Sequence, residues 1–310
     1  MEDGAGAAVT AAGGGGGTAT AEQLDVEVPG GRLRVARWGS GPVPVLGIHG
    51  ITASSVSLLP VARRLADRYT VLAPDLRGRG ASAGLPGPFG MKAHAADCAR
   101  VLEELAPRPA VVVGESMGGF VAVVLAAARP DLVAGLVLVD GGIPLPLPEG
   151  VDGDALAAAV LGPALSRLEM TFPSVDAYLD FWRAHPAVGE DWNADVEEYL
   201  RYDLVPTTGG YRSRVSAEAV RADSVQTLTE PDVVGDALGA LRCPVHLLRA
   251  TRNLLNQPPG LIPDGVVADW RSRVPQLSDE VVDDTNHYTL MLGERGAKVI
   301  AARTDGMAAA

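Results

Sequence analysis

The residues best suited to chemistry lie in Gly114-Glu115-Ser116-Met117-Gly118-Gly119, where a serine stands between glycines in the pattern G-x-S-x-G. In a chain with 37 glycines the bare pattern says little, and its surroundings say more. Residues 109–113 read as a buried strand directly before it, and 120–128 as a small-residue helix directly after. A strand turning sharply into a helix strains the backbone at the serine, and glycine neighbours avoid the clashes. That strain presents the hydroxyl at the sheet edge and aims the helix N-terminus at the reacting centre. A serine hydroxyl is a poor nucleophile at neutral pH and needs a base within hydrogen-bond reach. Five histidines are available: His49, His94, His185, His246 and His287. No His/Cys/Asp/Glu cluster has metal-ligand spacing. The turns Gly78-Arg79-Gly80 and 114–119 lack the ending of a phosphate loop and the spacing of a dinucleotide site. Neither a metal nor another cofactor is expected.

The elements that must position these groups alternate. Residues 23–28 and 32–38 alternate polar and apolar side chains around Pro29-Gly30-Gly31, which predicts an antiparallel hairpin. Short apolar runs follow at 45–48, 70–73, 110–113, 136–139 and 245–248, the pattern of parallel strands buried on both faces. Helical patterns lie between them; in 92–105, Cys98, Val101, Leu102 and Leu105 share one face. The fold class is therefore α/β, with a mostly parallel, doubly wound sheet. Residues 1–22, nearly all Ala, Gly and Thr with five glycines at 13–17, read as a flexible tail. The core is expected over 23–142 and 226–310. Between them, 143–225 interrupt the alternation with a Pro-rich start, helical segments and no clear strand. This insertion holds Phe172, Tyr178, Phe181, Trp182, Trp192, Tyr199, Tyr202 and Tyr211, out of the chain's 4 Trp, 6 Tyr and 4 Phe. It is expected to be a helical cap over the carboxyl edge of the sheet, where α/β folds place their ligands.

Composition narrows the function classes. Across 310 residues, 26 Lys+Arg against 38 Asp+Glu leave a net charge of −12, which argues against a nucleic-acid or anionic-membrane partner. Two cysteines, Cys98 and Cys243, do not make a disulfide framework. No apolar run reaches the roughly 18 residues of a membrane span, and the first twenty residues lack a secretory pattern. A cytoplasmic protein is expected; its oligomeric state is not encoded in composition.

Further motifs accompany the serine. Gly47-Ile48-His49-Gly50-Ile51 follows the third strand, Asp75-Leu76-Arg77-Gly78-Arg79-Gly80-Ala81-Ser82 the fourth, and Asn286-His287-Tyr288 stands near the C-terminus. In this order, on matching strand ends, they resemble the α/β-hydrolase superfamily over 23–305 apart from the insertion. The resemblance implies an α/β-hydrolase fold with Ser116 as nucleophile and His287 as base. His246, inside an apolar strand, reads instead as a core histidine. His94 lies on a helix, His185 in the insertion, and His49 in a loop the family uses structurally. The same alignment gives the backbone N–H groups of Ile51 and Met117 as the oxyanion hole, each worth about 3–4 kcal/mol.

The acid departs from the family's usual pattern. After the seventh strand, where an Asp or Glu is expected, the chain carries Asn253 and Asn256. Some branches, haloalkane dehalogenases and fungal zearalenone lactone hydrolases among them, carry the acid after the sixth strand, which implies Asp140. The alternative is that Asp140 only caps the turn into Gly141-Gly142. Asp264 reads as the N-cap of the helix running toward Trp270. An elbow serine cannot perform the alkyl-ester chemistry of haloalkane dehalogenases or epoxide hydrolases, which use an elbow aspartate. The expectation is acyl transfer to water: hydrolysis of a hydrophobic carboxylic ester or lactone, extending by the zearalenone resemblance to a macrocyclic lactone. Phe172, Trp182, Trp192, Tyr199 and Tyr202 are the expected pocket aromatics, and Asp176, Asp180 and Glu190 argue against an anionic substrate. The alternatives are a non-catalytic receptor for a hydrophobic ligand and a carbon–carbon bond hydrolase.

Overall fold

The computed structural model describes residues 21–146 and 165–309, so positions 1–20 of the expected tail and the later part of the Pro-rich run lie outside the described residues, while Glu22, expected in the tail, already opens the first strand. β1 (Glu22–Val28) and β2 (Gly31–Trp38) form the antiparallel hairpin. β3 (Val43–Ile48), β4 (Tyr69–Pro74), β5 (Ala110–Glu115) and β6 (Val133–Val139) follow. They are separated by α1 (Leu59–Leu65), α2 (Met91–Leu105) and α3 (Met117–Ala128). Every residue of β5 is buried, as a central strand covered by helices on both faces must be.

The insertion contains a helical turn at 165–169, then α4 (Val175–Arg183) and α5 (Ala194–Tyr202). A hairpin comes next, β7 (Leu204–Thr207) and β8 (Gly210–Ser213), followed by α6 (Ala217–Thr229). The hairpin corrects the expectation of an insertion without strands. Its strands are four residues each and mostly half-exposed, too short for alternation to register, and Gly209 and Gly210 reverse the chain with φ of +88° and +145°. α6 runs through position 225, so the expected border falls inside a helix.

α7 (Pro231–Ala240), β9 (Val245–Arg252), α8 (Asp264–Arg273), β10 (Leu277–Asn286), α9 (Thr289–Leu292) and α10 (Glu294–Ala308) complete the chain. The eight-stranded sheet has the order β1-β2-β4-β3-β5-β6-β9-β10, parallel from β4 to β10. Successive strand residues serve opposite layers. Val112 packs with Leu102, Val121 and Leu125 on one face, whereas Val111 and Val113 pack with Leu59 and Ile300 on the other. No helix among the described residues is long and apolar enough to cross a membrane.

Candidate active site

The β5–α3 turn is built as its glycines require. Ser116 has φ 52° and ψ −119°, a conformation that costs a non-glycine residue of order 1–3 kcal/mol. The turn closes tightly around it. A Cβ on Gly114 would stand 2.4 Å from the Gly118 carbonyl oxygen, and one on Gly118 would stand 2.1 Å from that of Ile48. The Ser116 N–H donates to the Val139 carbonyl at 2.9 Å, which ties the elbow to the end of β6.

Asp140 directly follows β6, with a φ of 48°. One carboxylate oxygen faces His287 Nδ1 at 2.8 Å, and the other accepts the Ala250 N–H of β9 at 3.2 Å. Both residues are buried. His287 follows β10 on a loop fixed by Asn286, whose Oδ1 accepts the N–H groups of Tyr288 and Thr289 at 2.9 Å each. Burial favours the neutral ring, but the Asp140 hydrogen bond and the charges of Asp140 and Glu115 outweigh it, raising the histidine above its ordinary value. The turn-cap alternative for Asp140 does not account for this pairing.

The second ring nitrogen has an unexpected neighbour. His287 Nε2 lies 3.5 Å from a carboxylate oxygen of Glu115, and no hydrogen bond joins the ring to the Ser116 hydroxyl in this arrangement. Such bonds often tighten only when substrate is bound. The G-x-S-x-G pattern leaves the residue before the serine unspecified and so assigns Glu115 no role. Its position immediately beside the nucleophile was the available signal.

Among the described residues, neither the Ile51 nor the Met117 N–H donates to a protein acceptor; Met117 opens α3 directly after Ser116. Ile51 is held from behind, its carbonyl accepting Arg79 Nε at 3.0 Å. Arg79 is itself fully buried against Asp223 at 2.6 Å. His49 is structural: the Leu76 N–H donates to its Nε2 at 3.0 Å, and burial pushes its pKa down to about 3. His94 also pairs with Asp223, at 3.0 Å.

The five expected pocket aromatics occupy different places. Phe172, Trp182 and Tyr199 are buried with Tyr178 in the insertion's own core. A buried Arg167 bonds Asp203 at 2.9 Å and the Tyr178 hydroxyl at 2.8 Å, with its guanidinium 5.1 Å from the Trp182 ring. Trp182 also meets Tyr288, beside His287, with ring centroids 6.1 Å apart. Tyr202 reaches the core, its hydroxyl donating to Asp75 at 2.5 Å, while Trp192 stacks under Arg183 at 4.6 Å. The insertion's core includes Ala53 and Val56 after the Ile51 turn and Leu292 after the histidine loop, so it packs on both loops that flank Ser116.

Two further assignments are corrected. His246 is not a core histidine; it is half-buried, facing Ser278 at 2.7 Å and Glu280 at 3.4 Å on β10. Pro263 is the N-cap of α8, and Asp264 is the helix's first residue, its exposed carboxylate pairing with Arg249 Nη1 at 2.7 Å.

Comparison with known proteins bears on the family and the fold. A family model described as alpha/beta hydrolase fold matches residues 43–173. The 2-(acetamidomethylene)succinate hydrolase of Mesorhizobium japonicum is 39% identical over 256 residues, covering 83% of this chain and 85% of that protein. The chain belongs to the α/β-hydrolase family. Esterase Rv0045c of Mycobacterium tuberculosis is 38% identical, with 84% and 82% of the two chains covered. Lipase LipV of the same organism is 39% identical over 61% of this chain and 68% of its own. The crystal structure of E-2-(acetamidomethylene)succinate hydrolase superposes with a TM-score of 0.76 at 24% identity, covering 94% of this chain and all of that one. The fold is thus the α/β-hydrolase fold, and the chain is a hydrolase.

Proposed function

We propose that this α/β-hydrolase cleaves a hydrophobic carboxylic ester or lactone through an acyl-enzyme on Ser116. The observation that carries the reading is the 2.8 Å Asp140–His287 bond, set at the sheet edge where the strained Ser116 emerges. His287 takes the hydroxyl proton at Nε2 as Ser116 Oγ attacks the carbonyl, and the Ile51 and Met117 N–H groups bind the oxyanion. The imidazolium returns that proton to the departing alkoxide. Water then attacks the acyl-enzyme by the same route and frees the acid. Asp140 holds the ring in the tautomer that leaves Nε2 as acceptor and stabilises the charge that forms. Relatives named as a lipase and an esterase support ester cleavage.

A fluorophosphonate should label the wild type, and Ser116→Ala should abolish the labelling. Persistent labelling of the variant would place the nucleophile elsewhere. Incubation with p-nitrophenyl esters and macrocyclic lactones then tests the substrate class; inertness toward both overturns the ester/lactone reading. A second reading, hydrolysis of an acidic substrate, is favoured by the similarity to a succinate-derivative hydrolase over most of both chains. Turnover of small diacid derivatives with no ester cleavage would select it.

A further inference from the structure

Glu115 directly precedes the serine and is buried, its side chain 11% exposed and its carboxylate against Gly50. Its space is reserved: a Cβ on Gly50 would lie 2.4 Å from a Glu115 carboxylate oxygen. The other oxygen is 3.5 Å from His287 Nε2, on the side of the ring where the serine proton must arrive. We propose that Glu115 is a second carboxylate partner of the base, holding Nε2 in the resting enzyme in competition with the Ser116 hydroxyl. The proposal rests on the serine-hydrolase reading and deepens it.

An imidazole between two carboxylates is stabilised as imidazolium, and an imidazolium cannot accept the serine proton. The groups facing Glu115 are His287 and Asp140 along the sheet edge, the Gly50 amide, Tyr199 from α5 and Tyr288 from the histidine loop. Burial raises both phenols above their ordinary value, so neither titrates in the working range. Burial also raises the Glu115 carboxyl, with Asp140 adding to it, while His287 and the Gly50 amide oppose. Glu115 and His287 therefore titrate as a coupled pair, each charge favouring the other. Serine reactivity falls as pH drops through the raised His287 value, and the Glu115 charge sets part of that rise.

The test is the rate of fluorophosphonate labelling of Ser116 between pH 5 and 9, in wild type and in Glu115→Gln. An opposite charge at this range moves a pKa by about 1–3 units. The variant's acid midpoint should fall by at least about one pH unit, giving about tenfold faster labelling below both midpoints. A merely structural role would lower the rate at every pH and leave the midpoint in place. An unchanged midpoint overturns the proposal. If Glu115→Gln does not fold, Glu115→Ala must show the same downward shift, and an unshifted midpoint there is equally fatal. Wild-type protein that fails to label at any pH would instead overturn the serine-hydrolase reading itself.

Discussion

β6 and β9 run side by side and end on the same edge of the sheet, yet β6 delivers a carboxylate to His287 while β9 delivers amides and backbone. Asp140 leaves β6 with a positive φ and reaches Nδ1. After β9, Asn253 turns inward, its Oδ1 accepting the N–H groups of Leu255 and Gln257. Asn256 accepts from Arg252 Nε at 2.7 Å and from Asn286 Nδ2 at 3.0 Å, so it braces the loop that carries His287. The β9 strand itself still serves the acid: its Ala250 N–H orients the Asp140 carboxylate, and its Leu248 carbonyl accepts the Asp140 N–H at 2.8 Å. On the proposed mechanism the carboxylate beside the ring comes from the β6 end, and the β9 end supplies hydrogen bonds that support it.

The sharpest way to break this contrast is Asp140→Asn. It should lower turnover by about 10⁴-fold, because an amide stabilises neither the tautomer nor the imidazolium. It also removes the hydrogen bond and charge that raise His287, so the remaining activity should extend to lower pH. Steady-state kinetics across pH check both, and near-normal turnover would break the assignment. Adding Asn253→Asp to that variant should recover less than about tenfold of the loss, since position 253 faces its own turn. Recovery approaching wild type would show that the two strand ends are interchangeable. Asn256→Ala should act most weakly, costing about 1–3 kcal/mol of stability from three lost hydrogen bonds, to Arg252, Asn286 and Glu190, and less than about tenfold in turnover. Chemical denaturation and kinetics measure it.

The same contrast shows what the sequence made legible. Ser116 could be read because its backbone geometry demands glycine at 114 and 118, a steric requirement written in residue types. Asp140 could be read because the β9 end carried amides where the family resemblance required an acid. For Glu115 the sequence shows a place beside the nucleophile but no role, since the G-x-S-x-G pattern leaves that position open and only three-dimensional placement brings its carboxylate to Nε2. The buried Arg167–Asp203 pair was equally hidden: its members lie 36 positions apart in an insertion without a repeating pattern. Aromatic content alone does not separate pocket wall from subdomain core, and Phe172, Trp182 and Tyr199 lie in the insertion's own core.

The most direct test of the Asp140–His287 pairing is the proton spectrum of the protein in water. The Nδ1 proton of His287, held against a buried carboxylate at 2.8 Å, should give a strongly deshielded exchangeable resonance. That resonance should disappear in Asp140→Asn and persist in Asn253→Asp. Its survival in Asp140→Asn would show that another group holds the ring and would contradict the account.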